Sequence, residues 1–215
     1  MVRSRQTLGI FWNVLLLVAF ASVLGAQPKV SPLGDKPPAE LAPAIATLLQ
    51  SSGVKAVVGD ATLGIWWVQS IASDGGWSGV ESGTIIGAIR VNGPFKEIRG
   101  KVVAPGVYTL RYGQQPQNGD HLGISTYRDF LLLSPASVDK DPKVLGFDGV
   151  VALSKQVIGT SHPASLSIDP PEDAPGAVLS TYKSDSGHDG IVFDVPRKPA
   201  GTIKFGLIIS GVIVH

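Results

Sequence analysis

The chain has 215 residues, with 18 Lys and Arg against 17 Asp and Glu, a formal net charge of +1 and no cysteine. The scattered, nearly balanced charges exclude the concentrated basic face that an electrostatic nucleic-acid binder needs. Because cysteine is absent from the sequence, disulfides and thiolate metal sites are excluded as well. The 26 glycines and 16 prolines favour short strands and tight turns.

The first 26 residues predict a secretory signal peptide. Arg3 and Arg5 precede an apolar run, Leu8 to Leu24, which is followed by the small residues Gly25 and Ala26. Because cleavage removes two of the 18 basic residues, the exported chain keeps 16 against 17 acidic residues. We expect this chain to be periplasmic or secreted. If the segment stays uncleaved, its apolar run is just long enough to anchor the chain in a membrane.

The rest of the chain has the length of one well-buried domain. Residues 27–38 are punctuated by proline and poor in apolar side chains, so they predict a linker or extended arm. A single domain over 39–215 is expected to follow it. Residues 39–52 predict a helix, because their apolar side chains recur at helical spacing and Gly53 can end it.

A second helix is predicted over residues 149–158, with Asp148 as its N-cap and Gly159 as its C-terminal stop. The other patterned segments are short and alternating or continuously apolar, which is typical of strands. The predicted strands are residues 63–71, 84–91, 107–112, 130–133, 164–168, 177–182, 190–195 and 202–214, and two shorter candidate segments are residues 55–58 and 95–98. This pattern of about eight regularly spaced strands, with two short helices in connections, favours a mainly β fold, an antiparallel β-sandwich.

Two strands and the polar segment between them form the central unit of the sequence. The first strand alternates, which places Tyr108, Leu110 and Tyr112 on one face. The second, Phe130 to Leu133, is continuously apolar, as expected for a strand covered on both sides. The polar segment between them, Gly113 to Tyr127, is the predicted recognition loop.

Six residues in or near this unit are the predicted ligand contacts. Aromatic faces with neighbouring polar side chains bind sugars in many β-sandwich modules, and Trp77, in a glycine-rich loop, is the better candidate for an exposed contact. Core filling is the competing interpretation for most of the aromatic residues. The predicted contacts are Trp77, Tyr112, Asp120, His121, Tyr127 and Arg128. Alternatively, Arg128 and Asp129 form a structural ion pair, as can Arg111 with Asp120 or Asp129.

A metal site is the alternative hypothesis, because neutral imidazole and carboxylate are common ligands of divalent metals. His121 and Asp120 lie together in the recognition loop, and His188 lies in a second polar loop. Their spacing matches no metal-binding motif. Histidines that are solvated or that cap turns are therefore the competing interpretation, and no other cofactor is predicted.

Catalysis has little support in the sequence. The G-x-S-x-G nucleophile motif is absent, and a hydrolase would need carboxylates such as Asp74, Glu81, Asp120 or Asp129 to converge in one cleft. We therefore expect a non-enzymatic binding module whose recognition loop binds a small molecule, a glycan or a cell-envelope partner. The alternative is a metal-binding protein or metal-dependent enzyme that uses His121 and Asp120.

The central unit also carries a resemblance. The motif PGVYTLRYGQQPQNGDHLGISTYRDFLLLSPA (Pro105 to Ala136) is accompanied by GTIIGAIRV (Gly83 to Val91) and by Arg99 to Lys101. With these motifs, roughly Leu63 to Ile168 resembles a family of uncharacterised secreted bacterial proteins. The resemblance implies export and a β-rich fold, and it carries no established activity.

Overall fold

The computed structural model describes residues 27–116 and 127–210. Within these residues the chain forms thirteen strands and two α-helices. The strands are β1 (Lys29–Leu33), β2 (Gly53–Val58), β3 (Ala61–Trp67), β4 (Ile71–Ala72), β5 (Ile85–Asn92), β6 (Phe95–Lys96), β7 (Val102–Val103), β8 (Gly106–Gln114), β9 (Asp129–Pro135), β10 (Ser165–Asp169), β11 (Thr181–Lys183), β12 (Asp189–Lys198) and β13 (Thr202–Ser210). The helices are α1 (Pro43–Ala46) and α2 (Gly146–Ile158).

Eleven of these strands form one sheet, in the order β1-β2-β3-β5-β8-β9-β10-β13-β12-β11 with β4 beside β12, and β6 and β7 form a separate hairpin. The pairs along this order are antiparallel, whereas β4 pairs with β12 in parallel, with Ile71 opposite Arg197. Because β4 follows β3 closely along the chain, the pairing of β4 with β12 brings the part of the sheet that contains β3 close to the part that contains β12. The sheet therefore curls around its own apolar face.

Aromatic contacts across the interior confirm that the two halves of the sheet face each other. The ring of Trp67 on β3 lies 4.9 Å from that of Phe193 on β12 and 5.3 Å from that of Phe205 on β13. Tyr108 and Leu110, on the predicted inward face of β8, are buried in the same core. The prediction of a mainly β, largely antiparallel and sandwich-like fold with two helices is thus confirmed, with one curled sheet supplying both layers.

The observed strands differ from the predicted ones at several places. The predicted strand over residues 63–71 is divided into β3 and β4. Residues 29–33, within the predicted linker or arm, form β1 instead, with Lys29 opposite Val57 on β2. Pro32 is tolerated there, because β1 is an edge strand of the described sheet and half of its backbone groups need no strand partner.

The predicted first helix is largely wrong. Only residues 43–46 are α-helical, and Leu49 forms an isolated antiparallel bridge with Val68. The side-chain amide of Gln69 donates hydrogen bonds to the carbonyls of Thr47 and Leu49, each at 3.1 Å. The apolar spacing that predicted a long helix therefore reflects burial against β3 and its continuation.

The second helix is confirmed, with a changed N-terminus. α2 ends as predicted at Gly159, which has φ 61° and whose N–H donates to the carbonyl of Lys155 at 3.2 Å. It begins three residues before the predicted start, so Asp148 lies within the first turn and is not the cap. An acidic residue there still interacts favourably with the helix dipole.

The face of β8 opposite the core is also buried, which the sequence did not predict. Thr109 and Arg111 are inaccessible on this face, because the segment from residue 136 to 145 crosses over them. α2 then packs beside this segment on β9, with Val150 fully buried. In residues 27–116 and 127–210, no helix is long and apolar enough to cross a membrane.

Candidate functional site

The predicted recognition loop is described only at its two ends. Asp120 and His121, which were predicted to bind ligand or metal, lie outside the described residues. At the ends of the loop, the N–H of Gln115 donates to the carbonyl of Arg128 at 2.8 Å, and Nε of Arg128 donates to the carbonyl of Gln115 at 2.7 Å. The half-buried Tyr127 precedes this pair. The guanidinium of Arg128 thus holds the base of the loop.

Trp77 and Tyr112 lie in the interior, so the expected exposure of Trp77 is wrong. Trp77 is only 7% exposed, and its ring stacks on that of Tyr112 at 5.3 Å with 11° between the planes. It also meets Phe205 edge-on at 5.1 Å. The glycine-rich loop places Trp77 in the interior, because burying and stacking a large apolar ring is more favourable than exposing it to water. Neither ring offers a face to a ligand.

Tyr112 and Asp129 form a hydrogen bond at the base of the same loop. The hydroxyl of Tyr112 donates to Oδ1 of Asp129 at 2.5 Å, and Nε2 of Gln114 donates to the same oxygen at 3.2 Å. Burial, and then this hydrogen bond, raise the pKa of the Tyr112 phenol well above its usual value. No ion pair joins Asp129 to Arg128 or Arg111 in the described structure, and Arg111 pairs instead with Asp139.

His188 lies in a hydrogen-bonded turn at the start of β12. Its N–H donates to Oγ of Ser184 at 3.1 Å, and its carbonyl accepts from the N–H of Ser184 at 2.9 Å. Among the residues that the structure describes, no three His, Asp or Glu side chains are grouped so that they could hold a metal ion. Metal binding by His121 and Asp120 stays a prediction.

A cleft between α2 and the outer face of the sheet lies beside the base of the loop. Its volume is about 360 Å³, within the range of small-molecule sites. Its floor comes from three strands, because Gly113 on β8 is opposite Phe130 on β9, and Leu132 on β9 is opposite Ser165 on β10. Side chains two residues apart on a strand share a face, so these four residues form one surface.

Because Gly113 has no side chain, nothing projects from the floor of the cleft at this position. A Cβ atom at this position would lie 2.9 Å from Cδ1 of Leu132 and 3.9 Å from Cε2 of Phe147. A side chain here would therefore project into the space between β9 and α2. Gly113, the first residue of the predicted recognition loop, therefore contributes to the width of the cleft.

One wall of the cleft is a stripe along α2. Phe147, Val151 and Lys155 line it, and their spacing of four residues places them on one side of the helix. A neighbouring stripe faces the sheet, where Val150 is buried and Oγ of Ser154 donates to the carbonyl of Ala164 at 2.8 Å. The apolar side chains of α2 therefore cover a wider arc of the helix than its contact with the sheet requires. This wider arc is a sequence signal of the cleft, and it was not recognised from the sequence alone.

The remaining wall carries polar groups and proline. Arg99, His162 and Pro163 line the side facing α2, while Gln115 and Pro116 lie at the end next to the recognition loop. The cleft is thus an apolar trough with basic groups at its margin. Such a site can bind a small ligand by burying apolar surface, with a few polar contacts to orient it.

Comparison of the chain with protein-family models, with curated proteins and with solved structures found no match.

Proposed function

We propose that the protein is a binding module for a small molecule with a mostly apolar body, and that the ligand occupies the cleft between α2 and strands β8, β9 and β10. The observation that carries this proposal is the lining of the cleft. Phe130, Leu132, Phe147 and Val151 supply apolar surface on two sides of one open cleft. Burying a ligand's apolar surface against them is the main source of affinity.

The size of the cleft limits the ligand. A volume of about 360 Å³ lies near the lower end of the range of small-molecule sites, about 300–1,000 Å³. A free small molecule therefore fits. The interior positions of Trp77 and Tyr112 also favour an apolar ligand over a sugar, because stacking on a sugar needs an exposed aromatic face.

A binding screen by ligand-detected NMR tests this proposal. The panel consists of small compounds with apolar bodies, some neutral and some charged. Replacing Val151, which is half-buried at the cleft wall, by tryptophan fills the cleft and is expected to abolish binding of every compound that the unmodified protein binds. Phe147→Ala, which removes apolar contact without filling the cleft, is expected to weaken the same compounds.

Val178→Trp is the matched control, because Val178 is exposed in the connection that precedes β11. We expect its binding to match that of the unmodified protein. Thermal unfolding of all three variants separates lost binding from lost folding. If the panel contains binders and Val151→Trp binds them unchanged, the cleft is not the binding site.

We also propose that the chain is exported, on the basis of the signal-peptide pattern in residues 1–26. Expression with this segment, followed by fractionation and N-terminal sequencing, tests export. The expected product is found outside the cytoplasm and begins after Gly25 or Ala26. Retention of the full-length chain in the cytoplasm contradicts export and leaves the binding proposal untouched.

A further inference from the structure

We infer that the ligand is an amphipathic monocarboxylate, with its apolar chain in the cleft and its carboxylate at the ammonium group of Lys155. This inference rests on the binding function proposed above and names the chemical class of the ligand. It follows from the charges at the margin of the cleft and from how each of them is already paired.

Among the described residues, the ionisable side chains that line the cleft are all basic. They are Arg99, Lys155 and His162, and neither an aspartate nor a glutamate is among the described lining residues. This contrasts with the nearly balanced charge of the whole chain. A bound anion would therefore meet attraction without repulsion from a neighbouring carboxylate, which is the usual basis of charge selectivity.

The charge of Arg99 is already neutralised by the protein. Its Nε donates to Oε2 of Glu97 at 2.9 Å, and the two side chains are 17% and 0% exposed. Its Nη2 donates to the carbonyl of Pro163. Oε1 of Glu97 accepts further hydrogen bonds from the N–H groups of Arg99 and Lys101. Arg99 and Glu97 thus form a neutral structural pair that holds one wall of the cleft.

Among the described lining residues, Lys155 is a cation that this pairing leaves for a ligand. It is exposed on the last turn of α2, and the positions one turn away on either side are Val151 and Gly159, which carry no carboxylate. No salt bridge to Lys155 is formed within the described residues. Its long aliphatic stem can follow the apolar wall while the ammonium stays at the water-exposed margin.

The helix dipole offers a different reason for a lysine at this position, because cations are favourable near a helix C-terminus. That reason does not account for the absence of carboxylates among the described lining residues. The attraction of the ammonium group has to exceed the repulsion that the helix end exerts on an anion.

Calorimetric titration with octanoate, 1-octanol and octyltrimethylammonium tests the inference, because the three probes share a tail and differ in charge. We expect octanoate to bind roughly three- to fivefold more tightly than 1-octanol, as an ion pair at an exposed lysine predicts. We expect octyltrimethylammonium to bind most weakly. Lys155→Gln should remove the preference for octanoate, and Lys155→Arg should retain most of it.

Lys140→Gln is the matched control, since Lys140 is an exposed lysine outside the cleft lining. Its affinities are expected to stay within about twofold of those of the unmodified protein. Equal binding of octanoate and 1-octanol, or a preference for octanoate that survives Lys155→Gln, overturns the inference. If 1-octanol still binds and Val151→Trp abolishes it, the proposed function stands without the inference. If none of the three probes binds, the inference is overturned, and the compound panel alone decides the proposed function.

Discussion

Arg111 and Asp139 form a two-point ion pair beneath the surface of the protein. Nε of Arg111 lies 2.7 Å from Oδ2 of Asp139, and Nη2 lies 2.8 Å from Oδ1. The two side chains are 0% and 2% exposed. The guanidinium also donates to the carbonyls of Gly83, Asp141 and Lys143 at 2.6, 2.5 and 2.8 Å. One arginine on β8 thereby fixes the segment that leads into α2.

Removal of Asp139 is expected to be strongly destabilising. Asp139→Ala leaves a buried guanidinium without its counter-ion, which costs about 3–5 kcal/mol of the free energy of unfolding. Urea denaturation measures this loss. Asp141→Ala is the control, because that carboxylate is 53% exposed and lies 3.9 Å from Nζ of Lys143, so its loss should cost less than about 1 kcal/mol. Equal costs for the two variants would contradict a structural role for the buried pair.

Gly83 is expected to accept no side chain. It has φ 94°, and a Cβ atom there would lie 2.6 Å from the backbone N of Gly146 and 2.7 Å from that of Leu145. Gly83→Ala must therefore displace the start of α2, with an expected loss of about 1–3 kcal/mol or more.

Gly75→Ala provides the comparison for this substitution. A Cβ atom at Gly75 meets nothing within 4 Å, and its φ is not positive in the range that disfavours side chains. We expect it to unfold at nearly the same urea concentration as the unmodified protein. If Gly83→Ala is equally harmless, α2 does not pack against Gly83 as described.

Asp169 makes the free energy of unfolding depend on pH in the acidic range. Its buried carboxylate accepts a hydrogen bond from the hydroxyl of Tyr182 at 2.8 Å. Burial raises the pKa of Asp169, while the Tyr182 hydrogen bond and the nearby His188 lower it by less. The folded state therefore binds the proton more tightly than the unfolded state, whose pKa is about 3.9.

The direction of the pH effect follows from that difference. Below about pH 3.9 both states are protonated, and the carboxyl group costs no stability. As pH rises from there through the folded pKa, the folded protein loses stability. We expect the free energy of unfolding of Asp169→Asn, measured relative to the unmodified protein, to increase across this window. Tyr182→Phe should extend the window to higher pH, and a constant difference for Asp169→Asn would contradict the account.

Local pattern was sufficient to predict much of the fold. Alternation in β8 correctly placed Tyr108, Leu110 and Tyr112 in the core, and Gly159 correctly marked the end of α2. These features depend on neighbouring residues, where side-chain periodicity and backbone conformation are directly coupled. The same reasoning failed for the predicted helix at residues 39–52, because contacts with β3 decide the conformation there.

The cleft could not be predicted, because it depends on contacts between distant segments. Arg99 meets Pro163, and Gly113 lies opposite Phe130 beneath α2. Nothing in the local sequence shows that Arg111 will pair with Asp139 and direct α2 onto β9. Sequence reasoning selected the polar loop between β8 and β9, whose role in binding stays a prediction, and the cleft lies beside the base of that loop.

Methyl-detected NMR titration tests ligand binding in the cleft most directly. The protein is labelled at leucine and valine methyl groups and titrated with octanoate and, separately, with 1-octanol. The account predicts that the largest shifts occur at Leu132 and Val151 for at least one of the two ligands, while Val178 and the core residue Leu63 are unchanged. Shifts confined to methyl groups outside the cleft would contradict ligand binding in the cleft, and no shifts with either ligand would overturn the inferred ligand class.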